Sequence, residues 1–276
     1  MVAVAAVLYA LGIRRAARAG IVWPRRRTVL FFGLGLGSYA VIELGFLGTY
    51  SGGLRWAFVT RIALLLMVVP ALVTLGKPLE LLRAGLGPAG RERLDRVAHS
   101  RVFRILGNAM VATLVAAAVF CLFLTPLAGV LRTSPIIGEV IGVATLVVGL
   151  LLVVPLMVLT GFHTSTFLAI EFLLAFVELL VDSIPGILLR LNDAVVDGIT
   201  TVAPGALWWP NPLHDQHLAG DFLWFIAEVA DVPILIILLI RWNRRDRAEA
   251  SSFDELSDAE HDALVQAHLR GEQPAR

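Results

Sequence analysis

The residues best placed to do chemistry are the ionisable ones that fall inside apolar runs. Glu43 lies in one such run and Arg61 in the next. A charge inside a membrane-spanning segment is costly and calls for a partner or a task. At a rise of about 1.5 Å per residue, the two sit at matching depth on consecutive antiparallel segments. The direct expectation is therefore a Glu43–Arg61 ion pair. Further along, Glu171, Glu178 and Asp182 recur at steps that return to nearly the same face of a helix. Glu228 and Asp231, three apart, are neighbours on the next helix. Together they make an acidic stripe with two readings. It is either a path for cations or protons, or a set of carboxylates satisfying polar groups near Pro185 and Pro233. His214 and His217 flank Asp215 and Gln216 in an outer loop. His-x-x-His with an intervening Asp offers two nitrogens and a carboxylate to a borderline metal; the plain alternative is two solvated histidines. His163 falls at a tight inner turn, while His99, His261 and His268 read as surface residues. Cys121 is the only cysteine, so there is no intramolecular disulfide and no CxxC motif. No nucleophile–base arrangement, P-loop or dinucleotide fingerprint occurs, so nothing points to an enzyme. Gly33, Gly35 and Gly37 lie within an apolar run, where they are expected to let helices pack closely.

The elements that must position these residues are membrane helices. The chain of 276 residues is 58% hydrophobic and 16% charged, with a mean hydropathy of +0.80. Soluble domains average about 25% charged residues, so the lipid bilayer must be the solvent for much of this surface. Windows near the length of about 20 residues that a span requires cover 28–48, 56–76, 102–124, 136–160, 166–189 and 220–240. Residues 2–13 form a shorter apolar piece without the basic start or cleavage site of a signal peptide, and read as a short or truncated first span. Basic residues then orient the bundle. Arg14, Arg15, Arg18, Arg25, Arg26 and Arg27 fill the first loop, Lys77 to Arg104 the third, and Arg241 to Arg247 follow the last span. The second and fourth loops hold only Arg55 and Arg132, and residues 191–219 hold no basic residue. The expected architecture is an all-α, polytopic transmembrane bundle of about seven spans, with the N-terminus outside and the C-terminus in the cytoplasm. Residues 1–242 form the bundle and 243–276 a polar tail, in which Ser257 to Glu260 read as a capping box. Lys77 is the only lysine among 23 basic residues, a bias that fits a GC-rich bacterial genome and hence the bacterial inner membrane. No nucleic-acid partner is implied.

Four stretches carry a family resemblance. They are Trp23-Pro24-Arg25-Arg26-Arg27-Thr28; Tyr50-Ser51-Gly52, leading through Pro70 to Leu75-Gly76-Lys77-Pro78-Leu79; Leu124-Thr125-Pro126-Leu127; and Asp215-Gln216-x-x-x-Gly220-x-x-x-Trp224, followed by Trp242-x-x-x-Asp246. In this order they resemble the CtaG proteins that assist assembly of bacterial cytochrome c oxidase, over about residues 8–247. The resemblance implies a seven-helix bundle that helps deliver copper, with oxidase subunits as partners. It also implies a His-Met-x-x-His stretch in the third span, which falls here on Ala57, Phe58, Val59, Thr60 and Arg61, and a second His pair, which falls on Gly138 and Gly142. None of these is a histidine. Copper(I) prefers Cys, Met and His, and the fixed charge of Arg61 opposes a metal cation at close range. The expectation is a divergent member that keeps the fold and has lost the usual metal site. Copper then remains a candidate at His214, His217 and Asp215, with Cys121 and the scattered Met67, Met110 and Met157 as the other ligands available. Two other classes stand beside an assembly or accessory role. One is a small transporter using Glu178, Asp182, Glu228 and Asp231; the other is a structural subunit of a larger membrane complex.

Overall fold

The computed structural model describes residues 2–159, 165–201, 203, 206–209 and 211–254; these are helices and their connections, with no strand among them. The helices are α1 (Val2–Arg18), α2 (Arg25–Tyr50), α3 (Arg55–Thr74), α4 (Pro78–Gly85), α5 (Pro88–Ala98), α6 (Arg101–Leu106), α7 (Ala109–Leu122), α8 (Leu127–Thr133), α9 (Pro135–Leu159), α10 (Ser165–Leu191) and α11 (Pro212–Asp254). Among the described residues, four stretches are long and apolar enough to cross a membrane: α2, α3, Pro135–Pro155 of α9 and Phe172–Leu191 of α10. A broken pair, Met110–Leu122 and Leu127–Thr133, bends by 81° and would make a fifth.

Several boundaries differ from the hydropathy windows. The window at 102–124 is divided at Gly107–Asn108, where the Asn108 side chain accepts from the Met110 amide and starts a new helix. Ser100 caps α6 in the same way, through the Phe103 amide. Such short polar side chains satisfy amides that a helix start leaves orphaned. Further along the chain, α11 begins at Pro212 rather than after Ala219. Pro212 opens the first turn, and the Asn211 side chain accepts from the amides of Leu213 and His214. The same helix continues to Asp254, past the expected boundary at 242. Residues 255–276, including the Ser257 capping box, lie outside the described residues.

The centre of the bundle is α3. Its Phe58, Val59, Ile62 and Leu66 are buried against Phe120 of α7, Leu189 of α10, and Leu223 and Ile226 of α11. Close crossings rest on glycine, but only in part on the expected ones. A Cβ on Gly35 would lie 3.0 Å from the Val73 Cα, whereas Gly33 faces open space and Gly37 meets only its own helix. Gly149 of α9 presses on the Leu66 carbonyl, and a Cβ there would come within 2.3 Å of it. Gly186 of α10 and Gly220 of α11 face each other, each leaving under 3.0 Å to the other's carbonyl oxygen.

Candidate functional site

Two linked polar groups occupy one end of the bundle. In the first, Arg61 of α3 grips Glu43 of α2: Nε donates to Oε1 at 3.1 Å and Nη2 to Oε2 at 2.7 Å. The Arg61 side chain is 2% exposed and that of Glu43 11%, so the pair is shielded from solvent. Arg61 Nη1 also donates to Ser51 Oγ at 3.4 Å and to the Gly138 carbonyl at 3.3 Å. Glu139 stands 3.8 Å from Nη2, but it is largely exposed. The guanidinium fills the space above Gly142, where a Cβ would come within 2.6 Å of Nη2.

Of the second group, the sequence singles out only Asp215 and Gln216 as candidates. Arg55, at the start of α3, donates through Nη2 to Asp197 Oδ1 at 2.5 Å and also to the Ile199 carbonyl. Arg132, in α8, donates through Nε to Asp197 Oδ2 at 2.9 Å and through Nη1 to the Gly52 carbonyl at 3.1 Å. Asp215 accepts from the backbone amides of Arg55 and Trp56, at 2.8 and 3.1 Å. It thereby caps the N-terminus of α3 from a position 160 residues away. A carboxylate there also favours the positive end of the helix dipole. Gln216 accepts from the Val196 amide and donates to the Ala194 carbonyl, pinning the preceding loop. All four charged residues are buried. Burial alone would raise the pKa of Asp197. Hydrogen bonds from Arg55 and the Ile199 amide, with the charges of Arg132 and Arg55, outweigh it and hold the carboxyl below its ordinary range. Burial pushes Asp215 above its ordinary value despite its two amide bonds. The cavity between Arg55, Arg132, Asp197 and Gln216 measures about 10 Å³, roughly one water molecule. The cluster is packed structure, not a pocket.

Asp215 therefore does not join His214 and His217. His214 stacks on Trp209, and His217 Nε2 lies 3.1 Å from the Asn192 carbonyl. Both histidines sit on the first turns of α11 rather than in a loop. No group of three His, Cys, Asp or Glu able to hold a metal occurs among the described residues. In the acidic stripe, Asp182 is fully buried and Glu228 half-buried. The side chains of Glu171, Glu178 and Asp231, and the turn at His163, lie outside the described residues. Arg55 and Arg132 stand out in the sequence as the lone basic residues of their loops, whereas Asp197 shares its loop with Asp193 and Asp215 and is not singled out. For the two arginines, rarity where basic residues are disfavoured was the signal available.

Compared with known proteins, residues 7–245 match the model of the cytochrome c oxidase caa3 assembly factor family. The chain belongs to this family. It is 25% identical over 266 residues to uncharacterised proteins of Mycobacterium bovis and Mycobacterium tuberculosis, covering 94% of this chain and 40% of each relative. A Mycobacterium leprae relative is 24% identical over 262 residues, or 91% and 39%. The chain thus spans about two fifths of the length of the curated relatives it matches. No solved structure matches.

Membership gives the network a test against copper. Of the positions that the resemblance assigns to ligands, the fold does bring Arg61, Gly138 and Gly142 together, while Ala57 packs with Leu54 and Ala206. The converging groups are a guanidinium, a carbonyl and a bare Cα. They supply no imidazole, thiol or thioether, and a fixed positive charge already fills the space. These residues do not fit a copper ion. The motif Asp215-Gln216-x-x-x-Gly220 gains a structural account instead: a helix cap, a loop pin and a close helix crossing.

Proposed function

We propose that this chain is a multi-pass inner-membrane assembly factor for cytochrome c oxidase. It acts by contact with oxidase subunits and not by carrying copper at the Arg61 position. The observation that carries this reading is the Arg61–Glu43 pair, whose guanidinium occupies the ground between Gly138 and Gly142. A protein-borne cation there keeps the surrounding helices in one arrangement without metal. The proposed topology has seven spans, the N-terminus outside and the polar C-terminal segment in the cytoplasm. This puts the Arg55–Asp197–Arg132–Asp215 network at the outer surface and the arginine-rich helices α4 to α6 inside. A reporter fused after Ala250 is expected to be active in the cytoplasm, and one placed within 201–212 outside.

Deleting the gene should lower the amount of assembled oxidase, and the wild-type chain should restore it. Unchanged oxidase content would remove the assembly reading. In a competition titration against a strong copper(I) chelator, the purified protein should bind at most weakly, and His214→Ala with His217→Ala should abolish that binding. Stoichiometric copper retained by the double variant would reveal an intramembrane site and overturn the copper-independent reading.

A further inference from the structure

One exposed face of α1 changes character along its length. At about 100° per residue, Val4, Val7, Leu8 and Leu11 fall within about one third of the helix circumference, and all four are exposed, by 41% to 64%. The same arc continues with Arg14, Arg15 and Arg18, which are exposed too. The opposite face carries the buried Tyr9 and Ala16 and packs with Phe31 and Leu81. Apolar and basic residues therefore lie in line, on the side of α1 that the protein leaves open.

The change falls at a definite depth. The Tyr9 hydroxyl donates to the Gly76 carbonyl at 2.8 Å and accepts from Trp23 Nε1 at 3.1 Å, and its ring stacks on Phe31 at 3.8 Å. Gly76 follows directly on the end of α3, so Tyr9 marks the level at which the apolar run of that helix stops. Arg14 and Arg18 stand about 8 and 14 Å further along α1, at and beyond a headgroup layer of about 5–8 Å. An arginine can reach back to that layer while its stem stays on apolar surface.

The loop that follows adds to the same surface. Gly20, with φ at 76°, and the bond from the Ile21 amide to the Ala16 carbonyl turn the chain back toward Tyr9. Trp23 is pinned by Tyr9, and between these two fixed points Val22 is 92% exposed. Arg25 and Arg26 come next, both exposed. Glu43 is the first acidic residue of the chain, and the neighbouring Glu80 is taken by Arg27 and Lys77. Among the described residues none of Arg14, Arg15, Arg18, Arg25 and Arg26 forms an ion pair. A soluble acidic partner would answer the arginines and leave the apolar stripe unmatched; a neutral lipid would do the reverse. An amphiphile with an anionic head answers both. Arginine matches phosphate oxygens with paired donors, and basic clusters at a membrane surface draw anionic lipid.

We propose that this face of α1 binds an anionic phospholipid, whose acyl chain lies along Val4, Val7, Leu8 and Leu11 and whose phosphate meets Arg14, Arg15 and Arg18. The site rests on the reading of α2 and α3 as membrane spans. It holds the first loop at the bilayer surface.

A photo-crosslinking residue is placed at Leu8, and the protein is reconstituted in nanodiscs of equal parts phosphatidylglycerol and phosphatidylcholine. After illumination the adducts are identified by mass spectrometry. Phosphatidylglycerol adducts should exceed those of phosphatidylcholine about tenfold. Arg14→Gln with Arg15→Gln and Arg18→Gln should bring the ratio close to even, whereas Arg93→Gln with Arg101→Gln and Arg104→Gln should leave it unchanged. The same probe at Val41, exposed toward the other end of α2, should capture the two lipids evenly. An even ratio at Leu8 of the otherwise unchanged chain would overturn the proposal, as would enrichment that survives the first three glutamines or is lost equally with the second three. Equal enrichment at Val41, or an adduct to protein in place of lipid, would do the same. A chain that did not enter nanodiscs would remove the spanning reading and this site with it. Loss of lipid preference alone leaves that reading, and the oxidase test of the assembly role, standing.

Discussion

Arg61→Ala is the perturbation with the most determined consequence. It removes both hydrogen bonds to Glu43 and those to Ser51 and the Gly138 carbonyl. Glu43 is left as a shielded carboxylate without its guanidinium. Breaking such a pair from one side costs about 3–5 kcal/mol in soluble proteins. The two further bonds are long, at 3.3 and 3.4 Å, and belong at the lower end of about 0.5–1.5 kcal/mol each. Glu43→Gln alone leaves the guanidinium buried and should be similarly harmful. Glu43→Gln with Arg61→Gln replaces the charges by amides that can bond to each other. The double variant should therefore recover part of the loss, with a coupling energy of about 2–3 kcal/mol, the upper range for residues in contact. The assay is folded yield together with denaturant unfolding of the detergent-solubilised protein. An internal check comes from Gly142→Ala, whose added carbon would come within 2.6 Å of Nη2. It should destabilise the wild type and become nearly neutral in the Arg61→Ala background. Strict additivity of the Glu43 and Arg61 changes would refute the pairing, and a Gly142→Ala effect of equal size in both backgrounds would refute the account of how that space is filled.

Asp215→Ala removes the cap of α3 and should cost about 0.5–2 kcal/mol from capping alone, measurable as a lower unfolding midpoint. His214→Ala with His217→Ala, on the exposed side of the same turn, should stay within about 0.5 kcal/mol. Gly220→Leu drives side-chain atoms into the Gly186 carbonyl and the Arg190 amide, 2.5 and 2.7 Å from a Cβ; it should cost at least about 1–3 kcal/mol, with Ser as a milder substitute. Because the folded state holds the Asp197 pKa below its unfolded value, its stabilisation is fully present above the ordinary carboxylate pKa of about 3.9. That contribution is lost as pH falls through the lowered folded value. Asp215, raised in the folded state, has the opposite sign: its folded form takes up a proton first, which favours folding as the pH falls. Asp197→Asn should therefore lower stability at neutral pH and flatten its decline below about pH 4, whereas Asp215→Asn should leave that decline in place. Thermal melts across this range decide between them.

The long helices could be read from the chain because a run of about 20 apolar residues needs no partner to declare itself a candidate span. The windows at 28–48, 56–76, 136–160 and 166–189 each fall almost wholly within one long helical stretch. Matched depth also placed Glu43 opposite Arg61, since axial rise is set by local geometry alone. Depth does not say which way a side chain faces. Gly35 packs on Val73 while Gly33 faces open space, and Asp215 turns inward while the adjacent His214 remains exposed. Neither outcome is written in the periodicity of one helix. The Arg55–Asp197–Arg132–Asp215 network lay further from view, because its contacts join residues 65 to 160 positions apart. The sequence by itself determined the apolar spans, the segregation of charge and the family motifs, all of which follow from local composition and order. Only the tertiary structure decided that Asp215 is a helix cap and that a guanidinium fills the space beside Gly142, because rotation and approach of whole helices, set by packing, choose which distant side chains meet.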